Sequence, residues 1–121
     1  MSEFVDYLHE VFVRFGPVEA RKMFGGYGLY HQGVMFALVV DEQLYLKTDA
    51  GSAGLFAAQH LAPFSYRRGD KTIKMSYHLA PEQIYDDAEL AAVWARRAFA
   101  VALHSKRRNT AHKTGNTETT S

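Results

Sequence analysis

Seven consecutive apolar residues, Val34-Met35-Phe36-Ala37-Leu38-Val39-Val40, are bracketed by two short turn signals, Gln32-Gly33 and Asp41-Glu42. The run is far below the ~20 residues needed to span a bilayer, and the turns cut it to strand length. Residues 20–31 before it look extended, with a bend at Gly25-Gly26, and Gln43 to Lys47 after it reads as another strand. Connections this short leave no room for a crossover, so the three strands must form an antiparallel meander. The middle run does not alternate. A strand that is apolar on both faces wants cover on both. In a two-layer fold the helices cover one face only. Flanking Tyr side chains and the first helix can shield the other, or a second copy of the chain can do so in a symmetric dimer.

The remaining elements follow from caps and periodicity. Ser2 before Glu3, with Phe4, Leu8, Val11, Phe12 and Phe15 behind, predicts an N-capped amphipathic helix that Gly16-Pro17 ends. Thr48-Asp49 can cap a short helix over about 50–60. Phe64 to Arg68 and Thr72 to Leu79 form a hairpin around Gly69-Asp70, and Pro81 closes it. Asp86 and Asp87 precede a last helix over about 87–104, with Leu90, Trp94, Ala98 and Val101 on one face. The order α-β-β-β-α-β-β-α, helices set apart from antiparallel strands, predicts an α+β two-layer sandwich. Residues 1–104 form the domain. From 105 to 121 only Ala111 is apolar, so that segment is expected to be a disordered basic and polar tail.

Composition narrows the function more by exclusion than by indication. Fourteen Lys and Arg against thirteen Asp and Glu leave a net +1, too small for a bulk electrostatic partner. The absence of Cys removes disulfides, thiolate metal sites and cysteine nucleophiles. The six His show no i, i+4 pair, and no phosphate-binding glycine loop or hydrolase elbow occurs. No catalytic residues, metal ligands or cofactors are expected. Acidic residues interrupt the N-terminus, so no secretory signal is read and a cytoplasmic location without membrane contact is expected.

Two features could carry binding. Alternation in the second hairpin sends Phe64, Tyr66, Ile73, Met75, Tyr77 and Leu79 toward the helices and Arg67, Lys74, Ser76 and His78 outward. Leu44 and Leu46 likewise turn inward, leaving Tyr45 and Lys47 on the outer face. Tyr45, Lys47, Arg67, Lys74 and His78 are therefore the expected interaction face, unless that face is simply solvated. The second feature is the basic stretch Lys106-Arg107-Arg108 with Lys113, a solubilising tail or an arm giving weak, sequence-blind contact with nucleic-acid phosphates; with Lys47, Arg67 and Lys74 of the sheet face it offers the alternative of a nucleic-acid-associated module.

The most distinctive segment is Arg21-Lys22-Met23-Phe24-Gly25-Gly26-Tyr27-Gly28-Leu29-Tyr30. Met23 and Phe24 can be core, and the glycines can serve a bulge or a close backbone approach. With Leu44-Tyr45-Leu46-Lys47, Phe64-Ser65-Tyr66 and Ser76-Tyr77 before Pro81, the segment resembles the TfoX N-terminal domain family over about residues 3–104. These domains occur in bacterial regulators of natural competence for DNA transformation. The resemblance implies a secretion-chaperone-like α+β fold. It also implies a regulatory, non-enzymatic role through a protein partner in the transcription machinery, such as an activator. It transfers no catalytic residue.

Overall fold

The computed structural model describes residues 2–23 and 25–107 with their side chains. The chain is α+β, and six antiparallel strands form one sheet in the order β1-β2-β3-β4-β6-β5. Helix α1 (Glu3–Val11) starts where Ser2 Oγ accepts the Val5 N–H at 3.1 Å. It stops short of the expected Gly16. Phe15 and Gly16 N–H instead return to the Phe12 carbonyl at 2.9 and 3.0 Å. His31 packs on this turn, its ring between Phe15 and Phe99, centroids 4.4 and 4.9 Å away. Its Nδ1–H donates to the Pro17 carbonyl at 2.7 Å. A β-carbon at Gly16, where φ is 138°, would stand 3.0 Å from that ring, so the tight approach requires glycine.

The segment expected as one bent strand is a hairpin, β1 (Glu19–Met23) and β2 (Gly26–His31), with Met23 opposite Gly26. The two glycines divide the work. Gly25 (φ 78°) supplies the left-handed turn, and Gly26 lies so close to β3 that a β-carbon would run into the Val39 carbonyl oxygen. The expected bend is thus a full reversal, which adds a strand. Phe24 lies outside the described residues. Strand β3 (Val34–Val40) follows through Gln32 and Gly33 (φ 50° and 78°), and β4 (Gln43–Lys47) through Asp41 and Glu42 (φ 52° and 58°). Both central residues left-handed is the type I′ geometry whose twist suits a two-residue hairpin.

A bulge sets how the apolar run of β3 is divided between the two faces. Leu29 pairs with Ala37 but Tyr30 pairs with Met35, leaving Phe36 as the extra residue. Val34, Phe36, Ala37 and Val39 consequently all join the core, where Phe36 meets Phe12 and Phe15 at 5.7 and 5.1 Å. Met35, Leu38 and Val40 are left to the opposite face.

Past β4 the chain makes the short helix α2 (Ala53–Ala57), which buries Phe56. Its entry is set by a reciprocal pair: Ser52 N–H donates to Asp49 Oδ1 at 2.8 Å and Asp49 N–H to Ser52 Oγ at 3.0 Å. Strands β5 (Pro63–Arg68) and β6 (Lys71–Leu79) form the second hairpin. A 3-10 turn (Glu82–Asp86) leads to α3 (Ala88–Thr120). Asp87 Oδ1 accepts the Glu89 and Leu90 N–H groups at 3.1 and 3.0 Å and so caps α3, as its position before the helix predicts. Ala91, Ala95, Ala98 and Ala102 keep the buried face of α3 thin, and Trp94 fills the end near Phe56. Ser105, Lys106 and Arg107 continue α3. From residue 108 on the side chains, those of Arg108 and Lys113 among them, lie outside the described residues.

Candidate interaction surface

Directly opposed residues in antiparallel strands point to the same side, so the registers sort the sheet's two faces. Leu44 and Leu46, both fully buried, oppose Val39 and Ala37 on the helix side. Leu46 also opposes His78. His78 therefore points toward the helices, contrary to expectation. Its ring packs 5.4 Å from Phe56, and its Nδ1 lies 3.1 Å from Thr48 Oγ1. Burial pushes its pKa down. Alternation from His78 puts Lys74 on that side, and Ser65 opposite Lys74 brings Arg67 with it. These strands project past the helices there, so Arg67 and Lys74 stay exposed.

The expected interaction face is thus split. Tyr45 and Lys47 lie on the open side, and Arg67, Lys74 and His78 do not. Alternation fixes which residues share a face, but not which face the helices choose. The apolar set of β5 and β6 turned away from them because β4 pairs Lys47 with Tyr77.

The open face carries no helix among the described residues. Its cross-strand rows are Tyr30 beside Met35, then Gly28–Leu38–Tyr45–Leu79, then Gly26–Val40–Gln43, with Lys47 beside Tyr77. Phe64, Tyr66, Ile73 and Met75 extend the apolar field onto the second hairpin. Tyr45 and Phe64 meet at 5.0 Å. Leu38 and Tyr77 are only 6% and 7% exposed, sheltered by their neighbours in the sheet, whereas Tyr66 and Met75 stand 42% and 38% exposed. Cations rim the field. Arg21 Cζ sits 4.2 Å from the Tyr30 ring centre and Lys47 Nζ 5.0 Å from that of Tyr77.

Gly28 makes a dip in this floor. A β-carbon there would stand 3.0 Å from both the Met23 and the Met35 Sδ, so the two thioethers close over the glycine. The distinctive sequence segment therefore has two uses. Gly25 and Gly26 shape the hairpin and Tyr27 packs on the core, whereas Met23 and Gly28 belong to the open face.

Electrostatics suit contact rather than proton transfer. Burial, with Tyr30 adding to it, pushes the Tyr77 phenol up to about 12. Burial also raises Tyr45, with Asp41 contributing, and lowers Lys47 against the pull of Asp49. Both phenols stay protonated at neutral pH, and the Tyr45 O–H donates to Gln43 Oε1 at 2.9 Å. Asp49 is bound to Ser52, and its carboxylate is held below the usual range mainly by the Ser52 N–H. No cluster of three or more His, Asp or Glu among the described residues is placed to hold a metal ion.

The model of the TfoX N-terminal domain matches residues 10–102. The chain belongs to that family. It is therefore a competence-related domain, of a family not known for enzymes. No curated protein matches it. The matched span takes this TfoX N-terminal domain from the end of α1 through all six strands to the Ala102 stripe of α3. It includes the whole open face. Among the described residues no helix is long and apolar enough to cross a membrane.

What the sequence missed on this face are Tyr30, Met35, Leu38, Phe64, Tyr66, Met75 and Tyr77. The signal was present as the double-sided apolarity of Val34–Val40, which announces a second apolar face.

Proposed function

We propose that this TfoX N-terminal domain is a non-enzymatic regulatory module that docks a protein partner on the open face of its sheet, in the service of a transcription activator. The observation that carries this reading is the helix-free field of Tyr30, Met35, Leu38, Tyr45, Phe64, Tyr66, Met75 and Tyr77, rimmed by Arg21 and Lys47. Tyr, Phe, Met and Arg are the residue types enriched in protein interfaces, and Tyr and Arg supply most anchoring positions. Methionines add a surface that can remould to its partner.

Size favours a reversible partner over a permanent second copy. Six strands at ~4.8 Å spacing and roughly six residues at ~3.3 Å rise give a face of roughly 600 Å². A standard stable interface takes about 800 Å² from each partner, and obligate dimers take more.

The test replaces the exposed Tyr66 and Met75 and the half-buried Tyr45 without touching the core. Tyr45→Ser, Tyr66→Ser and Met75→Ser together should leave the thermal melt nearly unchanged and abolish retention of a purified competence-related activator on the immobilised chain. A photocrosslinking residue at position 66 should link to that activator, and one at Val93 on α3 should not. Equal retention by the triple variant, or a crosslink only between copies of the chain, overturns the reading.

A further inference from the structure

The second hairpin bears a feature that the docking face does not use. From Ser65 to Ser76 every residue but Ile73 is exposed. The ribbon thus stands clear of the helices. Between Arg67 and Lys74 it carries four cations, Arg67, Arg68, Lys71 and Lys74, against one carboxylate, Asp70. Among the described residues none of the four joins an ion pair. Register separates them. Arg67 and Lys74 lie on the helix side, whereas Arg68 and Lys71, directly opposed at the tip, lie on the other. Like charges in opposed cross-strand positions work against a hairpin, and a hairpin uncovered on both sides is already marginal. An anion held between Arg68 and Lys71 removes that repulsion.

We propose that the β5–β6 ribbon is a DNA-backbone contact that enters the major groove of a duplex. A flat acidic protein would need cations on one face only. A groove presents a phosphate wall on either side, which matches the two-sided placement here. Two strands ~4.8 Å apart fit a groove ~12 Å wide. The four residues from Ser65 to Arg68 reach ~13 Å, more than the groove's depth of ~8.5 Å. The contact is to phosphate and is therefore sequence-blind and salt-sensitive. It rests on the four cations, which the protein-docking face does not use, although Tyr66 and Met75 of that face lie on the same ribbon.

Fluorescence anisotropy of the full chain with a labelled duplex tests this. Four phosphate contacts give a slope of log affinity against log salt of about −3.6, or roughly 150-fold weaker binding at 200 mM than at 50 mM salt. The variant R67Q/R68Q/K71Q/K74Q should lose binding, and K71Q alone should flatten the slope by about 0.9. K106Q/R107Q should keep it. Thermal melts accompany each variant. Because Arg68 and Lys71 repel, Gln at either position should not lower the melting temperature, and the single variants decide if the quadruple one fails to fold. Absence of binding at 50 mM salt overturns the proposal. So do an unchanged slope in the single ribbon variants, loss of binding in K106Q/R107Q, and tighter binding to anionic phospholipid vesicles at equal phosphate.

Discussion

Gly26 and Gly28 sit two residues apart on β2 and face the same side of the sheet, yet alanine should be received very differently at each. Neither has the left-handed backbone that would itself exclude a side chain, so space alone decides. At Gly26 the added carbon meets the Val39 carbonyl oxygen, a backbone atom held in the centre of the sheet. Relief requires β2 and β3 to move apart, so the substitution should cost about 3 kcal/mol, the upper end for overpacking. At Gly28 the added carbon meets Met23 and Met35 Sδ at 3.0 Å each, the ends of flexible side chains on an open face. They can swing outward, and alanine restricts the unfolded chain by about 0.4–1 kcal/mol, so Gly28→Ala should be near neutral. Each kcal/mol shifts the melting temperature of a domain near this size by about 4 °C. Calorimetry should therefore show Gly26→Ala lower by about 12 °C and Gly28→Ala within about 4 °C of the parent. Equal losses at the two positions would refute the reasoning, because they would mean that β2 and β3 are not in the close register described.

Two further outcomes are expected. Asp41 and Glu42 hold left-handed backbone that side chains resist by about 1–2 kcal/mol each, so Asp41→Asn with Glu42→Gly should raise stability by about 1 kcal/mol after the entropy of the new glycine; a fall in denaturant midpoint would contradict the turn geometry. His78 has a lowered pKa in the fold, so the unfolded chain takes up its proton first. Stability is then full above its ordinary value near 6.5 and declines as pH drops below it. Denaturant titrations between pH 7 and 5 should show this decline in the parent and a flatter profile in His78→Gln, whereas a profile unchanged by the substitution would remove His78 as its cause.

Local chemistry made the architecture readable. Two-residue turns forced the meander, Ser2 and Asp87 announced their helices, and the double-sided β3 announced an apolar second face. Three things were not readable. The Gly25-Gly26 reversal depends on a contact with Val39, remote in sequence. The bulge at Phe36 shows only when β2 and β3 are aligned. The orientation of β5 and β6 depends on how β6 docks against β4 after a detour through α2, and nothing in the alternation of Ile73 to Leu79 fixes that docking. Tyr45 and Lys47 were placed correctly because β4 is tied to β3 by a short turn. Arg67, Lys74 and His78 were not, because that tie was missing.

The sheet's order leaves β1 and β5 at opposite rims, and both rims carry charged side chains, Lys22 and the Glu19–Arg21 ion pair on one, Arg67 and Arg68 on the other. A stranger's strand laid along either rim, or a twin molecule approaching rim to rim, must strip water from these charges before it can zip up. Sideways growth into fibres is thereby made costly for a chain with so greasy a floor.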